Sequence, residues 1–513
     1  MIIFSSSQAQ QWEWARKANH TSSSESPSFI KTDSFGNLYL FGDSNGGNQY
    51  GATVLSPGPF IVKFDSLGTV IWANNITYSG ISIDLFDVDK SGNILLSGYF
   101  YGTASISGFN FTSQGQEDIF LVKLNSSGSP LWGKSFGGSG GDIPGSIAID
   151  QDLNIYLDGG FGSYGDSTIT FDSFALTGNG HFFLTKFNSA GKAVWASTGD
   201  PSFTGGNTIA IDKFSNIYLT AYSSQFYGTV IAKFNSAGIL LSHYLKWGDY
   251  DYVPALVVSD LGNIYLLHNG GGHYGFVPIL VKYDSLMNEQ WSKSIGTYYG
   301  CYQFGAGVFI DKSENIYVGG RLGSYCNSDS VYFQGKLAYV GNDAVPAIAK
   351  FNTSGNLLWV QSGVAADYDG IAQMCQSITG NFYVAGQFNN TTTGDGDTLA
   401  LGSNTLLNDG NWAQIFVAKL NLLNSPVSVN EIASDNLFEL FPNPSSGMFN
   451  VQFRNSQSAT MISVYNIFGK CLWSKDCRGE NVQQIDLNNE AKGLYFMEIV
   501  SDGGRAVKKI VLQ

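Results

Sequence analysis

The stretch Asp33-Ser34-Phe35-Gly36-Asn37-Leu38-Tyr39 decides the fold, because the chain repeats it. A near variant runs Asp89-Lys90-Ser91-Gly92-Asn93-Ile94, and the same turn returns with its Asn at Asn154, Asn216, Asn263, Asn315 and Asn381. Each copy lies between two short apolar runs. Asp caps the backbone two residues on, while Gly and Asn tolerate positive φ, so the pattern reads as a tight hairpin. Further along each copy, an apolar pair precedes a Lys, at Lys63, Lys123, Lys186, Lys233, Lys282, Lys350 and Lys419. A third mark is a strand with Trp at Trp14, Trp72, Trp132, Trp195, Trp291 and Trp359, Leu241 taking the remaining place. The three marks recur in one cyclic order, which identifies a repeat architecture.

Each unit supplies two hairpins. In the third, strands are expected at residues 146–149, 155–157, 183–187 and 193–196, forming a four-stranded antiparallel sheet. One such sheet cannot bury both faces, but seven packed radially can. The expected fold is all-β, with a seven-bladed β-propeller over residues 10–424. The last unit ends without a Trp strand and the chain begins with one, so residues 11–18 should complete the blade built from 371–421 and close the ring. The pattern resembles the bacterial SBBP-type β-propeller repeat, whose units pass through a "D-x-x-G-N-x-Y" turn and end on a "K-[FY]-[DN]-x-x-G-x-x-x-W" hairpin. That resemblance is specific for fold and says little about function.

After a linker at 425–437 the character changes. Residues 438–513 alternate short strands with Gly and Pro and read as a small immunoglobulin-like β-sandwich. Its blocks are Pro442-Asn443-Pro444 with Gly447, Gly469-Lys470, Gly493-Leu494-Tyr495, and a final strand with Lys508-Lys509. Their order resembles the type A C-terminal sorting domain of the type IX secretion system of Bacteroidetes. The resemblance implies that Gly493, Tyr495, Lys508 and Lys509 lie in the part presented to the outer-membrane translocon. It also implies cleavage in the linker, then release or attachment to a surface glycolipid. The alternative is a retained carbohydrate-binding β-domain.

Such a substrate first crosses the inner membrane, so a signal peptide is expected at the start. Residues 1–9, with apolar Met1 to Phe4 and the small-x-small Ser7-Gln8-Ala9, read as the remnant of one. No run approaches the roughly 20 apolar residues of a membrane-spanning helix. The formal charge of −14 has the wrong sign for nucleic acid. Residues 430–513 hold 9 acids and 8 bases, so the excess acid belongs to the propeller. Cys301 with Cys326 and Cys471 with Cys477 could pair in an oxidising compartment, leaving Cys375 free; all five could equally be buried thiols. A monomer is expected.

No zinc spacing, His-Glu-x-x-His, nucleophile elbow, P-loop or dinucleotide fingerprint stands in a suitable context. The candidate ligand-binding positions are loops joining one blade to the next: Asp142, Asp200, Asp249, Tyr250, Asp251, Tyr252, Tyr298, Tyr299, Asp367, Tyr368 and Asp369. Carboxylates and Tyr rings around a channel suit sugar hydroxyls and ring faces, cationic groups or Ca²⁺, and they serve equally as solvated turn formers. Asp150-Gln151-Asp152 and Asp395-Gly396-Asp397 look partly like calcium loops but lack the Gly and distal Glu, so they read as turns, and no cofactor is expected. The repeat Lys and Trp read as packed stems and core. Glycine-, Ser-, Thr- and Asn-rich excursions at 101–117, 161–180, 321–346 and 388–412 should form extra hairpins. The expected function is non-enzymatic binding of an extracellular glycan or protein. The alternatives are a polysaccharide hydrolase or lyase, whose two carboxylates would stand roughly 5 to 10 Å apart, and a structural role in adhesion or gliding.

Overall fold

The computed structural model describes residues 11–19, 25–163, 168–178, 182–223, 228–246, 252–272, 275–295, 304–322, 330–333, 336–340, 345–364, 369–377, 380–388, 397–408, 413–421, 438–453, 459–466, 471–476, 482–501 and 504–513. Among these, Trp12–Asn421 forms one compact all-β unit with seven four-stranded antiparallel sheets. The innermost strands are Glu25–Thr32, Tyr78–Val88, Gly141–Ile149, Phe203–Ile211, Tyr252–Val258, Phe304–Ile310 and Gly370–Gln376. Each neighbours the next, and the last neighbours the first, so the sheets stand as blades of a propeller. Strand Gln11–Lys17 joins the sheet of Gly370–Gln376, Phe382–Phe388 and Gln414–Asn421.

The repeat marks converge on one buried network. In the first blade Asp33 Oδ1 accepts the backbone N–H groups of Phe35 and Asn37, both at 2.9 Å. Its Oδ2 accepts Asn37 Nδ2 at 2.7 Å and the Tyr39 hydroxyl at 3.2 Å. Lys63 Nζ lies 3.8 Å from that oxygen and 4.8 Å from the Tyr39 ring centroid. Asp150 does the same work for Asp152, Asn154, Tyr156 and Lys186, so its carboxylate is consumed by its own turn. The buried ammonium and ring need this carboxylate, because an unpaired buried charge is strongly destabilising.

Two blades lack the Asp, and each borrows a carboxylate. In the fifth, the Ser259 hydroxyl accepts Leu261 and Asn263 N–H, while Glu314 reaches across from the sixth blade to Asn263 Nδ2, the Tyr265 hydroxyl and Lys282. Glu314 sits at φ +57°, where the first two blades have Gly36 and Gly92. In the seventh, Ser377 caps the turn and Glu13 of the closing strand pairs with Lys419 at 2.9 Å. That ion pair joins the two ends of the ring.

The Trp strand works between blades. Indole N–H groups of Trp14, Trp72, Trp195 and Trp291 donate to carbonyls of Ser66, Ser126, Ser236 and Thr353, each in the next blade's outer turn. Trp14 is buried, whereas the other five are half-buried. The turn glycine touches the indole: a Cβ at Gly68, Gly191, Gly238 or Gly355 would meet Trp14, Trp132, Trp195 or Trp291 at 2.6–2.8 Å. The expectation for Leu241 is corrected here. Lys63 pairs with Trp72 and Lys282 with Trp291, but Lys233 pairs with Ser242, which therefore holds the Trp place. Leu241 points the other way and is exposed, since strand neighbours face opposite sides. The missing indole is answered by Met287 of the fifth blade, at the glycine's turn position with φ +66°, buried and 3.1 Å from Ser242 Oγ.

The excursions contain hairpins. In the second blade the middle strands lengthen to Ile94–Ile106 and Phe109–Leu124. Thr168–Phe171 pairs with Phe174–Thr177, Ser330–Phe333 with Lys336–Val340, and Asp397–Leu401 with Asn404–Asn408.

The C-terminal part has a three-stranded sheet (Phe438–Phe441, Met448–Phe453, Val482–Asp486) and a four-stranded one (Cys471–Asp476, Ala459–Asn466, Gly493–Ser501, Gly504–Leu512). Phe449, Val451, Ile462, Val464, Ile485, Tyr495, Met497 and Ile510 fill the core between them.

Candidate functional site

One cavity of about 590 Å³ is lined by the innermost strand of every blade, which makes it the central channel. Its wall has two kinds of arc. Lys31, Asp84, Ser146, Asn207, Thr208 and Gln373 bring polar groups from blades one to four and seven, while Ala255, Leu256, Val257, Val308 and Phe309 make blades five and six apolar. Lys31 is held 3.1 Å from Asp87, and this partnership keeps its ammonium above the usual lysine value although burial works the other way.

The innermost strand of each blade is bulged at one level. Pairing with the second strand skips Ser28, Asp84, Gly145, Asn207, Ala306 and Ala372, and in the fifth blade Val253 and Pro254 together face the single position of His268. A bulge bends a strand and re-aims side chains. The partner strand must accommodate the bend. A Cβ at Gly42, Gly98, Gly159 or Gly386 would meet a carbonyl oxygen of the innermost strand at 2.7, 2.0, 2.3 or 1.9 Å. Sequence reasoning missed this ring. Its signal was present as a Gly five residues after the repeat Asn, at Gly42, Gly98, Gly159, Gly320 and Gly386.

Among the described residues, three of the loop candidates have placed side chains: Asp142, Asp200 and Asp369. Asp142 is fully buried and accepts Gly138 N–H at 2.7 Å and Gly162 N–H at 3.0 Å. Burial pushes its carboxyl up to about 7 against those two donors, and nearby Asp118 and Glu117 add to the rise. Asp118, also buried, is pushed to about 6. Asp200 is half-buried. Burial raises it, but the Ser202 N–H and hydroxyl, with His243, outweigh that and hold it below the usual range. Asp369 is buried at the start of the seventh blade. Tyr252 begins a strand, and its side chain lies outside the described residues, as do Asp249, Tyr250, Asp251, Tyr298, Tyr299, Asp367 and Tyr368. The same holds for residues 1–9, the linker 425–437, Asp395, Cys301, Cys326, Cys477, Gly469 and Lys470, and for the Cys471 side chain. Cys375 is a free, buried thiol. Among the described residues no group of three or more His, Cys, Asp or Glu is placed to hold a metal ion, and no helix is long and apolar enough to cross a membrane.

In the C-terminal domain, the Pro-Asn-Pro block closes a sheet edge. Asn443 Nδ2 donates to Lys509 O at 2.7 Å and its Oδ1 accepts Val511 N–H at 2.9 Å, so one side chain stands in for a strand. Ser445 continues the edge, its N–H donating to Val511 O. Tyr495 is buried in the core with its hydroxyl on Ala491 O, and Lys509 is exposed. A family model described as a secretion system C-terminal sorting domain matches residues 439–513. The chain carries a sorting tail. The sorting tail directs export through the type IX secretion system to the cell surface or the extracellular space.

An uncharacterized WD repeat-containing protein of Acanthamoeba polyphaga mimivirus is 28% identical over 162 residues, covering 27% of this chain and 11% of that one. Similar solved structures include a Bacteroides caccae protein of unknown function (13% identity, 59% of this chain and 89% of that one, TM-score 0.34). Others are prolyl oligopeptidase B of Galerina marginata (10%, 85% and 57%, 0.39) and a gluconolactonase of Xanthomonas campestris (10%, 67% and 98%, 0.30). Likeness at these levels carries no argument about activity.

Proposed function

We propose that this exported propeller binds an extracellular glycan or protein and performs no catalysis on it. The observation that carries the reading is the channel wall, where polar and apolar side chains from all seven blades face one cavity within the roughly 300–1,000 Å³ typical of ligand sites. The described carboxyls raised furthest, Asp118, Asp142 and Asp158, favour this over hydrolysis. All three are buried and spend oxygens on hydrogen bonds within the fold, so none is free to reach a glycosidic oxygen. A glycan array probed with the full chain, with calcium and with chelator, tests the reading. Saturable binding to a glycan class without product formation is expected; cleavage of a bound polysaccharide would overturn it.

A further inference from the structure

We infer that the ring of bulges is a specificity ring for the pyranose end of a neutral glycan, with Asp84 and Asn207 as its hydrogen-bonding residues. This deepens the binding reading and rests on it. Each bulged residue precedes the turn cap of its own blade by the same number of positions: Ser28 before Asp33, Asp84 before Asp89, Gly145 before Asp150, Asn207 before Asp212, Pro254 before Ser259, Ala306 before Asp311 and Ala372 before Ser377. The seven therefore lie at one height around the channel, and Asp84, Gly145, Asn207 and Ala372 line the cavity.

The identities divide the ring. Blades one, two and four carry Ser, Asp and Asn, whereas blades five, six and seven carry Pro, Ala and Ala. A pyranose has the same two-sided character, with hydroxyls at its edge and C–H groups on its faces. Asp84 and Asn207 flank the third blade, where Gly145 contributes no side chain and lies against Gly206 O, so a carboxylate and an amide stand on either side of a stretch of bare backbone. Asp84 already accepts the Ser82 hydroxyl at 2.7 Å on Oδ1, and the carboxylate keeps acceptor capacity for a sugar diol. Asn207 is exposed to the channel and offers both donor and acceptor. The Lys31 ammonium is neutralised by Asp87, so the wall offers no free cation to a charged acid sugar. Across the channel, Leu256 and Phe309 provide an apolar wall for a ring face. Bulges suit this task because the skipped residue is released from the pleat and can change identity without disturbing the ladder on either side.

The test titrates the full chain with glucose, galactose, mannose, N-acetylglucosamine, cellobiose and maltose by calorimetry and saturation-transfer NMR. Asp84→Ala and Asn207→Ala should each weaken the saccharide that binds wild type by about tenfold or more, the loss of one hydrogen bond to a charged or buried partner. Ala372→Trp, which fills the channel at the same height, should abolish it. Leu286→Ser, at an exposed outer turn, should leave it unchanged, and matching far-UV spectra and unfolding midpoints establish that each variant folds. Glycan binding that survives all three channel variants overturns the specificity ring and leaves the binding reading standing. Absence of any glycan binding by wild type, here and on the array, overturns the specificity ring and the glycan form of the binding reading together.

Discussion

The seam between the fourth and fifth blades allows a sharp test of how the ring is held together. At five other seams a Trp of one blade lies on a turn glycine of the next, as Trp195 lies on Gly238. Here Ser242 and Met287 occupy those two places. Met287→Gly removes a buried side chain worth about 2 to 5 kcal/mol when truncated and relieves a positive φ worth about 1 kcal/mol, a net loss of about 2 kcal/mol. Ser242→Trp alone drives an indole into the space Met287 fills, and overpacking of this kind costs about 1 to 3 kcal/mol. Together the two changes rebuild the Trp-on-Gly contact of the other seams, so the double variant should return to within about 1 kcal/mol of wild type. The single losses sum to about 3 to 5 kcal/mol, so the coupling is then at least about 2 kcal/mol, toward the upper end of what contacting residues show. Urea unfolding of wild type, both single variants and the double variant, followed by circular dichroism, measures it. Strict additivity of the two single effects would refute the reasoning, because it would mean that indole and glycine do not meet.

Other outcomes follow from the same contacts. Asp158 is buried with only Ser146 as partner, and burial pushes its carboxyl up to about 8 from an ordinary 3.8 against those two hydrogen bonds. Its contribution is therefore fully present below about pH 4 and is lost as pH rises to about 8; Asp158→Asn, which keeps the shape, should flatten that decline in the unfolding midpoint, and an unchanged pH profile would count against it. Glu314→Gln leaves Lys282 without its carboxylate partner and should destabilise by about 3 kcal/mol, more than Ser259→Ala, as read by denaturant midpoints. Glu13→Gln should raise hydrogen exchange in both Gln11–Lys17 and Gln414–Asn421, and no change in either strand would show that the ion pair does not hold the closure. Asn443→Ala should expose the last strand's edge, seen as faster exchange at Val511 N–H and concentration-dependent association of the full chain.

The blade was legible because its marks are local. Asp, Asn and Tyr of one turn meet within a few residues, and the Lys that joins them is fixed by a hairpin, so the sequence pattern and the network are nearly the same object. Leu241 was misplaced because an apolar residue attracts an apolar assignment, while a strand alternates faces and a shift of one position reverses the side. The compensations at Glu314 and Met287 were hidden for a different reason. Each repairs a departure in the neighbouring blade, and nothing inside its own repeat marks it. Of the loop carboxylates, Asp142 and Asp200 take the turn-forming reading that the sequence also allows, finding partners among backbone and side-chain donors.

This division explains where function can reside. Three departures from the repeat each come with a partner elsewhere: Ser259 with Glu314, Ser242 with Met287, and Ser377 with Glu13 of the closing strand. Residues coupled across a seam are poorly suited to evolve a new specificity, because each substitution leaves a buried charge or a void until its partner follows. Asp84 and Asn207 make none of these seam contacts. With Gly145 and Ala372 they line the channel, and all four are skipped by the ladder. A ring locked at its seams and free at its bulges can keep one architecture while the lining of the channel changes, and this is the physical ground for placing recognition at Asp84 and Asn207 rather than in the acidic loops.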